Sequence, residues 1–401
     1  MSIRILFVDE DEFVLDGLRC VIESHDPTWE LEFADSGFAA IEMLKSKKFD
    51  VVCSEVQMPE MDGFELLEFV RREFPEIIRI VLTGAEGSQL MSKTFGPAHQ
   101  SISKPCEPEI LAGFLKRCVA VRQRIGNDAI RAMVSKFDKL PALPSNVGNL
   151  IAKLGDPDSS VQEIGQIIES DVALAVKVLQ IVNSSFFGFN REIVSVQHAA
   201  SILGKSRLKP IVLSASVFNE MSKGLSEGFD LHSFTERSMI TGSVAYAIVE
   251  KETRDKELAD QAMLSGLLHD VGHLLLASKF SEFHQTTHQL AASEQIPSWL
   301  AEQTSFGTTH GDIGGYLLCL WGFPFEIVES VVFHHQPSKA NPENLQSLIP
   351  IHLAATWTET QFDSFECLNS QYDSNAINPI ETEIFLNEME ETGIAAFSGC
   401  R

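Results

Sequence analysis

The stretch Asp50 to Gly63, DVVCSEVQMPEMDG, constrains the fold more than any other part of the chain. Asp50-Val51-Val52-Cys53 is β-branched and apolar without alternation, the pattern of a central parallel strand covered on both faces. Met58-Pro59 and Asp62-Gly63 are turn chemistry leading into a helix over residues 64–73. A carboxylate, Glu55, therefore stands at the C-terminal end of a buried strand, where open α/β sheets place their functional groups. Other segments supply a matching rim. Ile3 to Val8 reads as a strand followed by the acid run Asp9-Glu10-Asp11. Residues 77–82 read as a strand ended by Thr83, and a short strand near Ile102 runs into Lys104-Pro105.

Residues 1–122 resemble the receiver domain of bacterial two-component response regulators. The resemblance implies a doubly wound, flavodoxin-like α/β fold of five parallel strands. Its acid pair falls on Asp9 and Glu10, its phospho-accepting position on Glu55, its hydroxyl position on Thr83 and its lysine on Lys104. Two positions depart from the pattern. Glu55 stands where the family has an Asp, and Ser101 stands where many members have an aromatic switch residue. The longer Glu55 side chain would reach toward the phosphoryl position, within range of Lys104 and Thr83. The preferred reading is an ion pair with Lys104 that fixes one state. The alternative is a Mg²⁺ site on Asp9, Glu10 and Glu55.

The rest of the chain changes character. Residues 108–139 have helical apolar spacing, and residues 123–139 are read as a linker helix closed by the two prolines of LPALPSN. From Val147 to about Gln336 helix follows helix, with expected spans at 147–154, 161–169, 172–182, 196–203, 208–222, 233–252, 259–278, 282–292, 298–306, 313–321 and 325–335. Helices this apolar require an all-α bundle. Within it, LLHDVGH (Leu267 to His273), His310 and His334-His335 concentrate imidazole and carboxylate. A His-Asp step on a helix, with His269 and His273 four apart on one face, suits a divalent metal.

Residues 140–337 resemble the HDOD family, the HD-related output domain, through DVALAVKVLQIVNS, AASILG, LLHDVGH, and THGDIGGYLLCLWGFP ending in HHQP. Related HD-type enzymes are metal-dependent phosphohydrolases. Arg237 stands where their first His would fall, and Ala354-Ala355 where their last Asp would fall. The residual site, His269, Asp270, His310, His334, His335 and Arg237, is expected to hold an Asp270–Arg237 pair rather than a transition metal, with no catalytic residue. The resemblance then implies a signalling regulator acting through protein contacts. The alternatives are a cyclic-dinucleotide phosphodiesterase and a nucleotide-binding sensor without turnover.

Composition limits the partners. Formal net charge is −25 from 31 basic and 56 acidic side chains, so direct nucleic-acid binding is not expected, because affinity for phosphate backbones needs clustered Lys and Arg. Residues 338–401 form an acidic, partly helical extension. No apolar run approaches a membrane span, and seven cysteines show no C-x-x-C spacing, which together point to a cytoplasmic protein with no membrane association. Signalling proteins are the expected partners. A homodimer is expected through apolar residues around Val119 and Val121.

Overall fold

The computed structural model describes residues 3–25, 28–74, 76–83, 98–104, 159–169, 172–182, 193–221, 224–225, 229–320 and 323–359, with isolated positions at 111–113, 115–116, 119, 150 and 153. These residues form two compact units, taken separately below. The expected linker helix, the two prolines that follow it, Val121, most of the helix expected at 147–154 and the acidic segment beyond residue 359 lie outside the described residues.

In the first unit, β1 (Arg4–Val8), β2 (Glu30–Ala34), β3 (Val51–Glu55), β4 (Ile78–Thr83) and β5 (Gln100–Ser103) pair in parallel in the order β2-β1-β3-β4-β5. The order reverses between β1 and β3, and that switch point is where open α/β sheets form their sites. Ile5, Leu6, Phe7, Val51, Val52 and Cys53 are fully buried, as a sheet covered on both faces requires. The helices α1 (Glu12–His25), α2 (Gly37–Ser46) and α3 (Gly63–Glu73) follow the first three strands. Val119, Leu111 and Leu115 are buried.

The turn between β3 and α3 is fixed by short-range chemistry. Asp62 caps α3 by accepting the Glu65 N–H at 2.8 Å, and Glu65 accepts the Asp62 N–H at 3.1 Å. This reciprocal capping box starts the helix sharply. The Gly63 N–H donates to the Val56 carbonyl at 2.8 Å, and a Cβ on Gly63 would fall 1.8 Å from the Glu55 carbonyl oxygen. Only glycine lets the chain double back beside Glu55.

The helical part of the chain carries, among the described residues, α4 (Val161–Glu169), α5 (Val172–Val182), α6 (Val196–Met221), α7 (Leu231–Thr253), α8 (Lys256–Leu268), α9 (Val271–Lys279), α10 (Ser281–Glu294), α11 (Ser298–Phe306), α12 (His310–Leu320), α13 (Phe325–Phe333) and α14 (Leu345–Glu359). The two helices expected at 196–203 and 208–222 are present within α6, where the non-helical backbone of Gly204 (φ 72°, ψ 173°) separates them. The single helix expected over 259–278 is instead two. It stops at Leu268, and a new helix starts at Val271, so His269-Asp270 is a corner between helices rather than a helical step. The His269 ring closes that corner, its Nδ1 donating to the Gly266 carbonyl at 2.7 Å.

Gly272 in the first turn of α9 then lets α12 come close, since a Cβ there would lie 2.0 Å from the His310 carbonyl oxygen. Both close approaches give the same expectation. Gly63→Ala is expected to cost at least about 1–3 kcal/mol, the range for overpacking a fitted site, read as a lower midpoint in chemical denaturation.

Candidate functional site

The rim of the parallel sheet gathers three charged side chains. Asp9 follows β1 and is 3% exposed, and its Oδ1 accepts the Asp11 N–H at 2.9 Å. Glu55 ends β3, and its Oε1 accepts the Val56 N–H at 2.7 Å. Lys104 follows β5, and its ammonium donates to both Asp9 Oδ2 and Glu55 Oε2. Burial alone would lower the Lys104 pKa, but its bonds to the two carboxylates outweigh that and leave it raised. Thr83 is the last residue of β4, in register with Ser103.

Two of the three carboxylates expected to hold Mg²⁺, Asp9 and Glu55, are engaged by Lys104 here. The ammonium already takes the outer oxygen of Asp9 and of Glu55, and the inner oxygens hold backbone N–H groups. Glu10 is exposed and lines a groove of about 1040 Å³ with Met58, Pro59, Phe64 and Phe69.

A second charged centre lies in the helical unit. Asp270 from the α8–α9 corner, His310 from the start of α12, and His334 and His335 just after α13 converge, with ligand-type atoms within 4.8 Å of one another. His310 Nε2 lies 3.2 Å from Asp270 Oδ1, 3.3 Å from His334 Nε2 and 3.1 Å from His335 Nε2. On its other side, His310 Nδ1 meets Glu302 Oε2 at 2.8 Å, and the same oxygen accepts the His310 backbone N–H at 2.7 Å. His334 Nδ1 donates to the Val331 carbonyl at 2.7 Å, and His352 Nδ1 bonds the His334 carbonyl. His335 stacks on Trp299.

Electrostatics separate these groups. Burial opposes charge on His310, yet the Glu302 and Asp270 carboxylates hold its pKa well above the usual imidazole value. Asp270 is held well below the usual carboxylate range by His269, His310 and His334 in spite of its burial. Glu302 is likewise lowered by His310 and His273 against burial. Burial pushes His334 down to about 4, and burial plus the neighbouring His310 charge pushes His273 down to about 3.

Several expectations change here. The Asp270–Arg237 pair is not formed among the described residues. Asp270 faces His269, His310 and His334, and Arg237 Nε is buried without a hydrogen-bond partner. His269 and His273 do not act from one helical face, because the corner separates them. His269 meets Asp270 Oδ2 at 3.3 Å, whereas His273 stacks on His310 at 3.8 Å. Glu302 was not singled out by sequence. Its only signal is a lone acid eight residues before His310 in AEQTSFGTTH. Ala354 and Ala355 are fully buried in α14.

Comparison with known proteins now decides what the two units are. Residues 5–116 match the response regulator receiver domain, and residues 140–337 match the HDOD domain. The chain is a receiver domain followed by an HDOD domain. An HDOD domain protein of unknown function from Geobacter sulfurreducens aligns over 71% of this chain and 96% of its own, with a TM-score of 0.53 and 19% identity, which supports the fold. An uncharacterized protein of Treponema pallidum is 27% identical over 218 residues, 54% of this chain and 42% of its own length. Response regulator MprA of Mycobacterium tuberculosis is 28% identical over 145 residues, 36% of this chain and 61% of its own. The chain thus spans about 42–61% of the length of these curated relatives. The architecture is that of a signal-transduction regulator, and no helix among the described residues is long and apolar enough to cross a membrane.

Two outcomes follow for the receiver rim. Lys104→Met leaves two carboxylates facing each other. Breaking a buried pair costs about 3–5 kcal/mol, and the partial exposure of Lys104 reduces this to about 1–3 kcal/mol, measurable by denaturation. Because the folded pKa of Lys104 lies above its ordinary 10.5, its stabilising contribution is complete below that pH and is lost as pH rises through the raised value. Melting temperatures of the native protein are therefore expected to fall more steeply above pH 10.5 than those of Lys104→Met.

Proposed function

We propose that this protein is a regulator whose receiver works without phosphorylation and whose HDOD domain acts by contact with other signalling proteins rather than by hydrolysis. The observation that carries the reading is the pair of bonds from Lys104 to Asp9 and Glu55. In a receiver that signals by phosphorylation, this cation would respond to a phosphoryl group on the acceptor. Here the Glu55 carboxylate stands one methylene further out than an Asp would place it, and the lysine is already held.

Burial supports the output half of the reading. Asp270, His310 and His334 are 0–3% exposed, which supports a centre closed to a phosphodiester. Arg237 and the alanine pair at 354–355 supply neither an imidazole nor a carboxylate. A cyclic-dinucleotide phosphodiesterase needs an accessible ion with an open position, and the burial of these side chains counts against that use.

The test is treatment with acetyl phosphate followed by intact-mass and acid-lability analysis. The native chain is expected to remain unlabelled, and Glu55→Asp to gain a labile phosphoryl group. Labelling of the native chain would overturn the phosphorylation-independent reading. Hydrolysis of cyclic di-GMP by the metal-supplemented chain would overturn the contact-only output.

A further inference from the structure

Beside α3 the receiver carries an open groove of about 1040 Å³, and neither Asp9, Glu55 nor Lys104 lines it. Asp62, Glu65, Phe69 and Arg72 border it in a single stripe along α3, over about 15 Å of helix axis. The loop after β3 contributes Val56, Met58 and Pro59, and the first turn of α3 contributes Phe64. Phe64 and Phe69 are only half-buried, so part of each ring faces the groove. The loop is fixed in advance. Glu55 Oε1 accepts the Val56 N–H, the Gly63 N–H returns to the Val56 carbonyl, and the Met61 N–H donates to the Pro59 carbonyl at 2.7 Å. A groove held in this way loses little backbone freedom when it is filled.

We propose that this groove is a docking site for a basic amphipathic helix of a partner protein. Charge selects the sign of the partner. Glu10, Asp62, Glu65 and Glu68 surround the apolar lining, against the one base Arg72 among the described lining residues. Arg72 is already paired with Glu73 at 2.7 Å, and Glu10 is exposed and meets no cation among the described residues. Asp62 and Glu65 each use one carboxylate oxygen in the capping box and keep the other. Ligands that carry phosphate, whether nucleic acid, phosphopeptide or anionic lipid, are repelled by this rim.

Backbone geometry selects a helix over a strand. Strand addition needs an unpaired sheet edge, and β3, whose loop lines the groove, is paired on both sides with β1 and β4. A helix with apolar residues at i, i+3 and i+7 can set them on Met58, Phe64 and Phe69 while its lysines meet the acids. This extends contact with partners to the receiver, and it holds whether or not Glu55 accepts a phosphoryl group.

The test is fluorescence anisotropy of the full chain with a labelled helical peptide of about 14 residues, about 21 Å long, with Leu at i, i+3 and i+7 and Lys at most other positions. It is expected to bind about tenfold or more tighter than a peptide of the same composition with its Leu spread round the helix, and less tightly as salt rises. Phe69→Ala is expected to weaken binding about tenfold. Phe69 also packs against the receiver core, so Glu10→Lys, at an exposed position, serves if that variant fails to fold. Its expected loss is about three- to tenfold. Glu294→Lys, the same charge change at the exposed end of α10, is expected to leave binding unchanged. Equal losses in Glu10→Lys and Glu294→Lys, or equal affinity for the two peptides, would reduce the binding to bulk attraction by a chain of net charge −25 and overturn the site. Unchanged binding in Glu10→Lys overturns it as well, as does a native chain that does not bind the patterned peptide.

Discussion

One ammonium group between two carboxylates organises the receiver rim. Lys104 comes from beyond β5, Asp9 from beyond β1 and Glu55 from the end of β3, so the contact joins the edge of the sheet to its switch point. Two negative charges brought this close would repel without it, and the positive charge is retained because both carboxylates outweigh the cost of burying it. The pairing is geometric as well as electrostatic. The Gly63 turn sets the backbone of Glu55 by leaving no room for a side chain against its carbonyl. The inner oxygens of Asp9 and Glu55 are held by backbone N–H groups, which leaves the outer ones for the lysine.

The same logic governs the helical domain with histidine in place of lysine. There, two carboxylates, Asp270 and Glu302, flank His310, and the positive charge between them is again what the burial requires. The difference lies in the number of lone pairs that converge. The receiver rim needs one cation with hydrogen-bond donors. The histidine centre presents ring nitrogens and a carboxylate oxygen to one point, and the charge that answers the two carboxylates is the proton held on His310.

Much of the receiver was legible because its signals are local. Residues 50–63 state a buried strand, a strand-end acid and a capped helix within one window, and β3 and α3 fall where those signals place them. The helical domain was legible as a class and less so in its breaks. Leu264, Leu267, Leu268, Val271, Leu274 and Leu275 keep helical spacing straight through His269-Asp270 and are all buried. Periodicity therefore could not reveal the corner. What breaks the helix is a side-chain bond from His269 back to Gly266 and the close approach of α12 at Gly272, and neither is visible in spacing. Glu302 stayed hidden for a related reason, since a single acid in a polar run reads as solvated until its partner eight residues on is seen to fold back over it. Arg237 was given a partner because its charge suited Asp270, whereas the carboxylate was already surrounded by imidazoles.

The most direct test of the central contact is a double-mutant cycle between Glu55 and Lys104, using Glu55→Gln, Lys104→Met and the double variant in chemical denaturation of the full chain. Contacting charged residues with shared partners show coupling energies of about 0.5–3 kcal/mol, whereas independent sites add within about 0.3–0.5 kcal/mol. A favourable coupling of about 1 kcal/mol or more is the result this account predicts. Additive effects would contradict it, because Glu55 and Lys104 would then not hold each other in the folded receiver.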